Sequence, residues 1–95
     1  MDGVLWYLLA SSRGGETRTR ILRVLQERPR NANQLSEELD LDYTTVRHHL
    51  DVLMENNVVQ KGGDGYGAVY LFTDQVRSNW ETVEEILDTV SPEEQ

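Results

Sequence analysis

The sequence predicts a mainly α-helical domain closed by one small β-hairpin, and three features of its 95 residues point there. Apolar residues recur at helical spacing in several stretches, such as Ile21, Leu22 and Leu25, or Val46, Leu50 and Leu53. Two of these stretches, around Leu35 and Leu39 and around Val46 to Leu53, are separated by a turn of only three residues, 40–42. Later, two β-like runs, Val58-Val59 and residues 69–72, flank the segment Gly62-Gly63-Asp64-Gly65-Tyr66-Gly67, which has the composition of a hairpin turn.

The elements follow in order. Asp2 can cap a first helix within residues 1–12, on which Val4, Leu5, Leu8 and Leu9 form an apolar stripe. Residues 11–15 end it. Gly14-Gly15 is too short for a phosphate-cradling loop and reads as a flexible joint. A second helix spans about 17–28, with Ile21, Leu22 and Leu25 inward and Arg20 and Arg23 outward, and Pro29 stops it. Asn31 caps the third helix, where Gln34 can complete a capping box. Asp42 caps the fourth, over 42–56, and sets a negative charge at its positive end. Thr73-Asp74 can cap a last helix over 74–90. Its residues Val76, Trp80, Val83, Leu87 and Val90 step by four, three, four and three, a coiled-coil type of seam flanked by Glu81, Glu84, Glu85 and Asp88. Residues 91–95 form a polar tail. The whole reads as one domain over 1–95, with a core at 16–75.

Two helices joined by so short a turn cross steeply, and the outer face of the second stays free. That face carries Tyr43, Thr44, Thr45, Arg47 and His48, side chains able to hydrogen-bond or stack on base edges. Arg47 is the strongest single candidate, because its planar fork can hold guanine or a phosphate. Thr44 and Thr45, at the helix start, can meet phosphate or thymine methyls.

The order of Pro29, the cap Asn31, Gln34-Leu35, Leu39, Leu41, the cap Asp42, Thr45-Val46, His48-His49-Leu50, Val52-Leu53 and Val58-Val59 resembles the ArsR-type winged helix-turn-helix regulators. The resemblance covers about residues 15–75 and is most specific from Thr45 to Leu53. It implies a winged helix-turn-helix fold and a sequence-specific transcription regulator that binds double-stranded DNA. The helix over 42–56 would lie in the major groove, with the wing on neighbouring backbone. Arg18 and Arg30, near helix starts, and Lys61 in the wing complete the expected DNA-contacting set with Tyr43, Thr44, Thr45, Arg47 and His48. Asp40 and Asn57 stand where such proteins often carry Gly, and both residue types tolerate the left-handed backbone.

A seam of five positions together with an apolar N-terminal helix exceeds what one small hydrophobic face requires. A homodimer through the first and last helices is therefore expected, with Leu5, Leu8, Leu9, Val76, Trp80, Val83, Leu87 and Val90 at its interface.

Charge complicates the DNA reading, since 9 basic against 17 acidic residues give a net of -8. Residues 1–30 nevertheless hold six arginines against Asp2, Glu16 and Glu27; beyond them only Arg47, Lys61 and Arg77 oppose 14 acids. Lys61 is the only lysine, and an acid-rich, lysine-poor composition resembles proteins of halophilic archaea. The acidic balance also keeps a second reading open, a winged helix used as a protein-interaction module.

Several classes are excluded at this level. The chain has no Cys, hence no disulfide, thiolate metal site or cysteine nucleophile. The apolar run 4–10 is too short to span a membrane and lacks a basic flank, so a cytoplasmic protein without a membrane partner is expected. His48 and His49 point about 100° apart on a helix and cannot chelate one ion from it, while a site bridging two subunits through His and carboxylates stays open. The Cys-bearing motif of metal-sensing relatives is here Leu39-Asp40-Leu41-Asp42. Neither a catalytic constellation nor a cofactor fingerprint is present, so no enzyme, metal or cofactor is expected. Trp6, Tyr7 and Tyr66 read as packing or surface aromatics.

Overall fold

A computed structural model describes residues 1–63 and 68–90. Helix α1 (Asp2–Trp6) runs on through a π-helical turn, Tyr7–Ser11, and is followed by α2 (Gly15–Glu27), α3 (Ala32–Leu39) and α4 (Tyr43–Glu55). Strands β1 (Val59–Gly62) and β2 (Val69–Phe72) come next, then α5 (Asp74–Ser78) and α6 (Trp80–Val90). This is the winged helix-turn-helix arrangement. The wing tip, 64–67, and the tail, 91–95, lie outside the described residues.

Local chemistry explains most boundaries. The Asn31 side chain accepts from Gln34 N at 2.7 Å and the Gln34 side chain accepts from Asn31 N at 2.9 Å, a complete capping box. Asp40 (φ 57°) and Asn57 (φ 63°) take the left-handed conformation at the ends of α3 and α4. Asp42 occupies the cap position of α4 but makes no side-chain cap hydrogen bond, so only its charge serves the helix end. At the amino terminus Met1 is the cap position and Asp2 is already helical.

α2 lies at the centre, with Ile21, Leu22 and Leu25 buried. The helix-turn-helix covers it with Leu35, Leu39, Val46, Leu50 and Leu53. Elsewhere α6 packs on α1, on the π turn and on α2. The expected dimer seam is therefore largely used within one molecule: Leu5, Leu8, Leu9, Val76, Val83 and Leu87 are buried in the monomer's own core, as is Ile86. Trp80 and Val90 pack half-buried against its edge. Nor is the last helix continuous. Asn79 donates from its side chain to Gln75 O at 2.9 Å, which diverts a backbone acceptor and parts α5 from α6. Past the break, Trp80 meets Phe72 with ring centroids 5.0 Å apart.

The wing is antiparallel, with Val59 opposite Phe72 and Lys61 opposite Tyr70. Tyr70 N also donates to Arg30 O at 2.7 Å, which ties the returning strand to the residues that lead into α3.

Gly14-Gly15 is a seat and not a flexible joint. Gly14 holds φ +87°, and a Cβ on Gly15 would lie 2.5 Å from Leu9 O. Helix propensity alone favours Ala, but a contact this close to rigid backbone reverses the sign. Gly15→Ala is expected to cost about 1–3 kcal/mol as overpacking, read from the urea midpoint. A midpoint at or above that of the parent would contradict the close contact of the π turn with α2.

Candidate nucleic-acid interface

Burial divides α4 into two faces. Val46, His49, Leu50 and Leu53 point inward, while Tyr43, Thr44 and His48 are exposed and Thr45 and Arg47 half-buried. The start of α4 is held by its neighbours: Arg20 donates to Leu39 O at 3.0 Å, and the Ser36 hydroxyl donates to Leu41 O. Five of the eight residues expected to meet DNA thus share one surface at the start of α4, and Lys61 joins them from β1.

A cleft of about 490 Å³ opens between this surface and the wing. Asn31 and Asn33 line it from the start of α3, Tyr43 and Arg47 from α4, and Lys61 and Tyr70 from the wing. No carboxylate is among its described lining residues. Arg47 donates from Nη1 to the Tyr43 hydroxyl at 3.3 Å, and Asp51 Oδ1 stands 3.9 Å from Nη2. Its Nε is sealed from solvent without a hydrogen-bond partner among the described residues. The bond to Tyr43, and then the nearby Tyr70 and Tyr43 hydroxyls, push the Arg47 pKa above its ordinary value. The Lys61 ammonium lies 5.6 Å from the Tyr70 ring centroid, a cation over an aromatic face.

Arg18 and Arg30 are placed elsewhere than expected, and for a clear reason. Only 4% of Arg18 is exposed: its Nε donates to Leu8 O at 2.9 Å, its Nη1 to His49 Nδ1 at 3.1 Å, and its Nη2 to the Ser12 hydroxyl and Arg13 O. Arg30 is 3% exposed and donates to Val24 O and Arg28 O, with Glu38 at 3.0 Å and Glu27 at 3.3 Å. Burial works against the Arg30 charge, but its hydrogen bonds to the Glu38 and Glu27 carboxylates outweigh it and raise the pKa. Both guanidinium groups are structural ties with no face left for a duplex.

The Arg18 partner was missed by sequence reasoning, although a signal existed. Arg18 falls on the stripe Arg18, Ile21, Leu22, Leu25, and His49 on Val46, His49, Leu50, Leu53, each at i, i+3, i+4 and i+7. Two polar residues on facing apolar stripes are candidates for pairing. His49 must offer Nδ1 as an acceptor and so is neutral, with its proton on Nε2. Burial first, then the Arg18 charge and His48, push the His49 pKa down.

The rings of His48 and His49 meet edge-on with centroids 5.1 Å apart. Among the described residues, no group of three His, Asp or Glu side chains stands close enough to hold a metal ion. No helix among them is long and apolar enough to cross a membrane.

Residues 15–61 match the family model described as bacterial regulatory protein, arsR family. The matched stretch begins at the first residue of α2 and ends inside β1. A search of the curated proteins found no match to the chain.

The Arg18–His49 pair sets a pH dependence. The unfolded chain binds a proton at His49 near pH 6.5, whereas the folded pKa is lower, so the unfolded state holds more protons between the two values. The pair's full contribution is present above about pH 6.5 and is lost as pH falls toward the folded pKa. Melting temperatures across pH 5–7.5 should fall with acid for the parent and fall less for His49→Gln. Equal slopes would contradict the neutral, Arg18-bonded His49.

Proposed function

We propose, from the ArsR-type helix-turn-helix domain at residues 15–61 as premise, that this chain is a sequence-specific transcription regulator of double-stranded DNA that acts as a homodimer. The observation that carries the reading is the exposed start of α4, where Tyr43, Thr44 and His48 face outward while the same helix is anchored by Val46, His49, Leu50 and Leu53. In this reading α4 enters the major groove, with Thr44 and His48 near base edges and the wing beside the neighbouring backbone. Two copies would read half-sites about one helical turn apart.

The dimer contact needs a different surface from the one the seam suggested, because most seam residues are buried in the monomer. The most exposed large apolar side chains among the described residues are Val4, Tyr7 and Tyr43. Val4 and Tyr7 sit on α1 and the π turn, away from the recognition helix in sequence, and they support an isologous contact there. The acid excess and single lysine support a salt-adapted origin like that of halophilic archaeal proteins. Near molar salt the screening length falls to about 3 Å, which favours short-range contacts and shape over a broad positive field.

Selection from a random duplex library, in moderate and in molar KCl, tests the reading. It should return a palindromic motif at both, and Thr44→Ala and His48→Ala should each weaken binding by about 1–3 kcal/mol and relax one base position. Failure to enrich any sequence would favour the protein-interaction module instead. Light scattering should give a dimer for the parent and a monomer for the Val4→Glu, Tyr7→Glu double variant. A variant that remains dimeric would contradict the α1 contact.

A further inference from the structure

We infer that the cleft between α3, α4 and the wing seats one phosphodiester of the bound duplex, held by Arg47 and Lys61, so that Arg47 clamps backbone and leaves base reading to its neighbours. The inference rests on the DNA-binding reading above and assigns the chemistry of one part of that surface.

Charge placement is the first argument. Beyond residue 30 the chain has Arg47, Lys61 and Arg77 against 14 acids, yet two of these three cations line one cleft whose described lining holds no acid. In a protein of net charge -8, two cations on a described lining without a carboxylate, with Asp51 beside it at 3.9 Å from Arg47, suit a site for an anion. Three further lining side chains, Tyr43, Asn33 and Tyr70, carry donors suited to oxyanions. Tyr43 accepts from Arg47, which leaves its own hydroxyl proton free to donate onward. Asn33 and Tyr70 add an amide and a second hydroxyl.

The tethering of Arg47 is the second. Its guanidinium is held by Tyr43 one turn before and approached by Asp51 one turn after, along the helix and beside the wing. Asp51 is a loose partner at 3.9 Å and half exposed, a counterion that a phosphate can replace. Bidentate reading of guanine would compete with the Tyr43 hydroxyl for this fork.

Rigidity is the third. The wing wall is tied to the α3 wall by Tyr70 N donating to Arg30 O at 2.7 Å, and Arg30 precedes the capping box. Lys61 pairs with Tyr70 across the two strands. Backbone hydrogen bonds thus fix the wing wall that carries Lys61 against the α3 wall, and a cleft with two walls tied together positions a phosphate instead of merely attracting one.

The test titrates the parent and Arg47→Gln with the selected duplex and with copies carrying one neutral methylphosphonate at each position in turn. For the parent, one linkage per half-site should weaken binding about tenfold when neutralised, the size of one charge-assisted hydrogen bond. For Arg47→Gln the same linkage should matter less than about threefold, the salt slope should fall by about 1, and the selected base motif should be unchanged. A relaxed base position in Arg47→Gln, with every linkage acting alike in both proteins, would make Arg47 a base reader and overturn the inference while leaving DNA binding intact. Displacement of the duplex by millimolar inorganic phosphate at matched ionic strength would assign the cleft to a free anion and also overturn it. A parent that selects no duplex would remove the DNA reading and this inference together.

Discussion

The guanidinium of Arg18 is the point at which the amino-terminal segment, α2 and α4 are held together. Burying a cation costs several kcal/mol unless its donors are satisfied, and here they are met by Leu8 O, Arg13 O, the Ser12 hydroxyl and the neutral ring of His49. The hydrogen-bond partners are carbonyls, a hydroxyl and an imidazole, with no carboxylate. This arrangement dictates the path of the chain between α1 and α2. Carbonyls must turn toward Arg18, the π turn must end near Ser12, and the backbone must pass so close to His49 and Leu9 that only Gly fits at 14 and 15. α4 is thereby fastened from beneath at His49, one residue from the exposed His48. The inner face of the proposed recognition helix is fixed by a polar tie as well as by packing.

The same economy governs charge across the molecule. The first 30 residues carry six arginines, an excess that looks like a DNA-facing surface when read along the chain. In the fold, Arg18 and Arg30 are internal ties, Arg20 closes the end of α3 at Leu39 O, and Arg23 reaches Leu87 O and Asp88. Positive charge near helix carboxyl ends opposes the helix dipole and satisfies carbonyls that have no intrahelical partner. Much of the amino-terminal excess thus maintains the fold, and the cations beside the recognition surface are Arg47 and Lys61, which come from the acid-rich part of the chain. A negatively charged protein whose cleft has no acid among its described lining residues can meet a polyanion only at short range, where shape and hydrogen bonding outweigh the overall field.

How much of this was legible in the sequence depends on whether the deciding interaction was local. The Asn31–Gln34 capping box, the left-handed Asp40 and Asn57, the Pro29 stop and the Thr73 cap all involve neighbours in sequence, and each forms as the residues require. Apolar stripes likewise placed α2 and α4 and their inward faces. What the stripes could not say was against what they pack. Leu5, Leu8, Leu9, Val83 and Leu87 have the spacing of an intermolecular seam, but the two ends of this chain meet over α2 and cover each other. Asn79 is polar at a position that the heptad pattern leaves unread, and its bond to Gln75 O breaks the seam. Arg30 carried no local sign of burial, since its partners Val24, Glu27 and Glu38 come together only when α2 and α3 are in place. The cleft combines Asn33, Arg47 and Lys61 from three elements, so it exists only in the tertiary structure.

The most direct measurement of the central claim is amide chemical-shift mapping of the labelled protein as a duplex recovered by selection is added. The account predicts changes concentrated at residues 31–33, 43–48, 60–61 and 68–70, around the start of α4 and the cleft, with α6 little affected. Changes confined to α1 and α6, with residues 43–48 unmoved, would contradict it and make this winged helix a protein-docking domain.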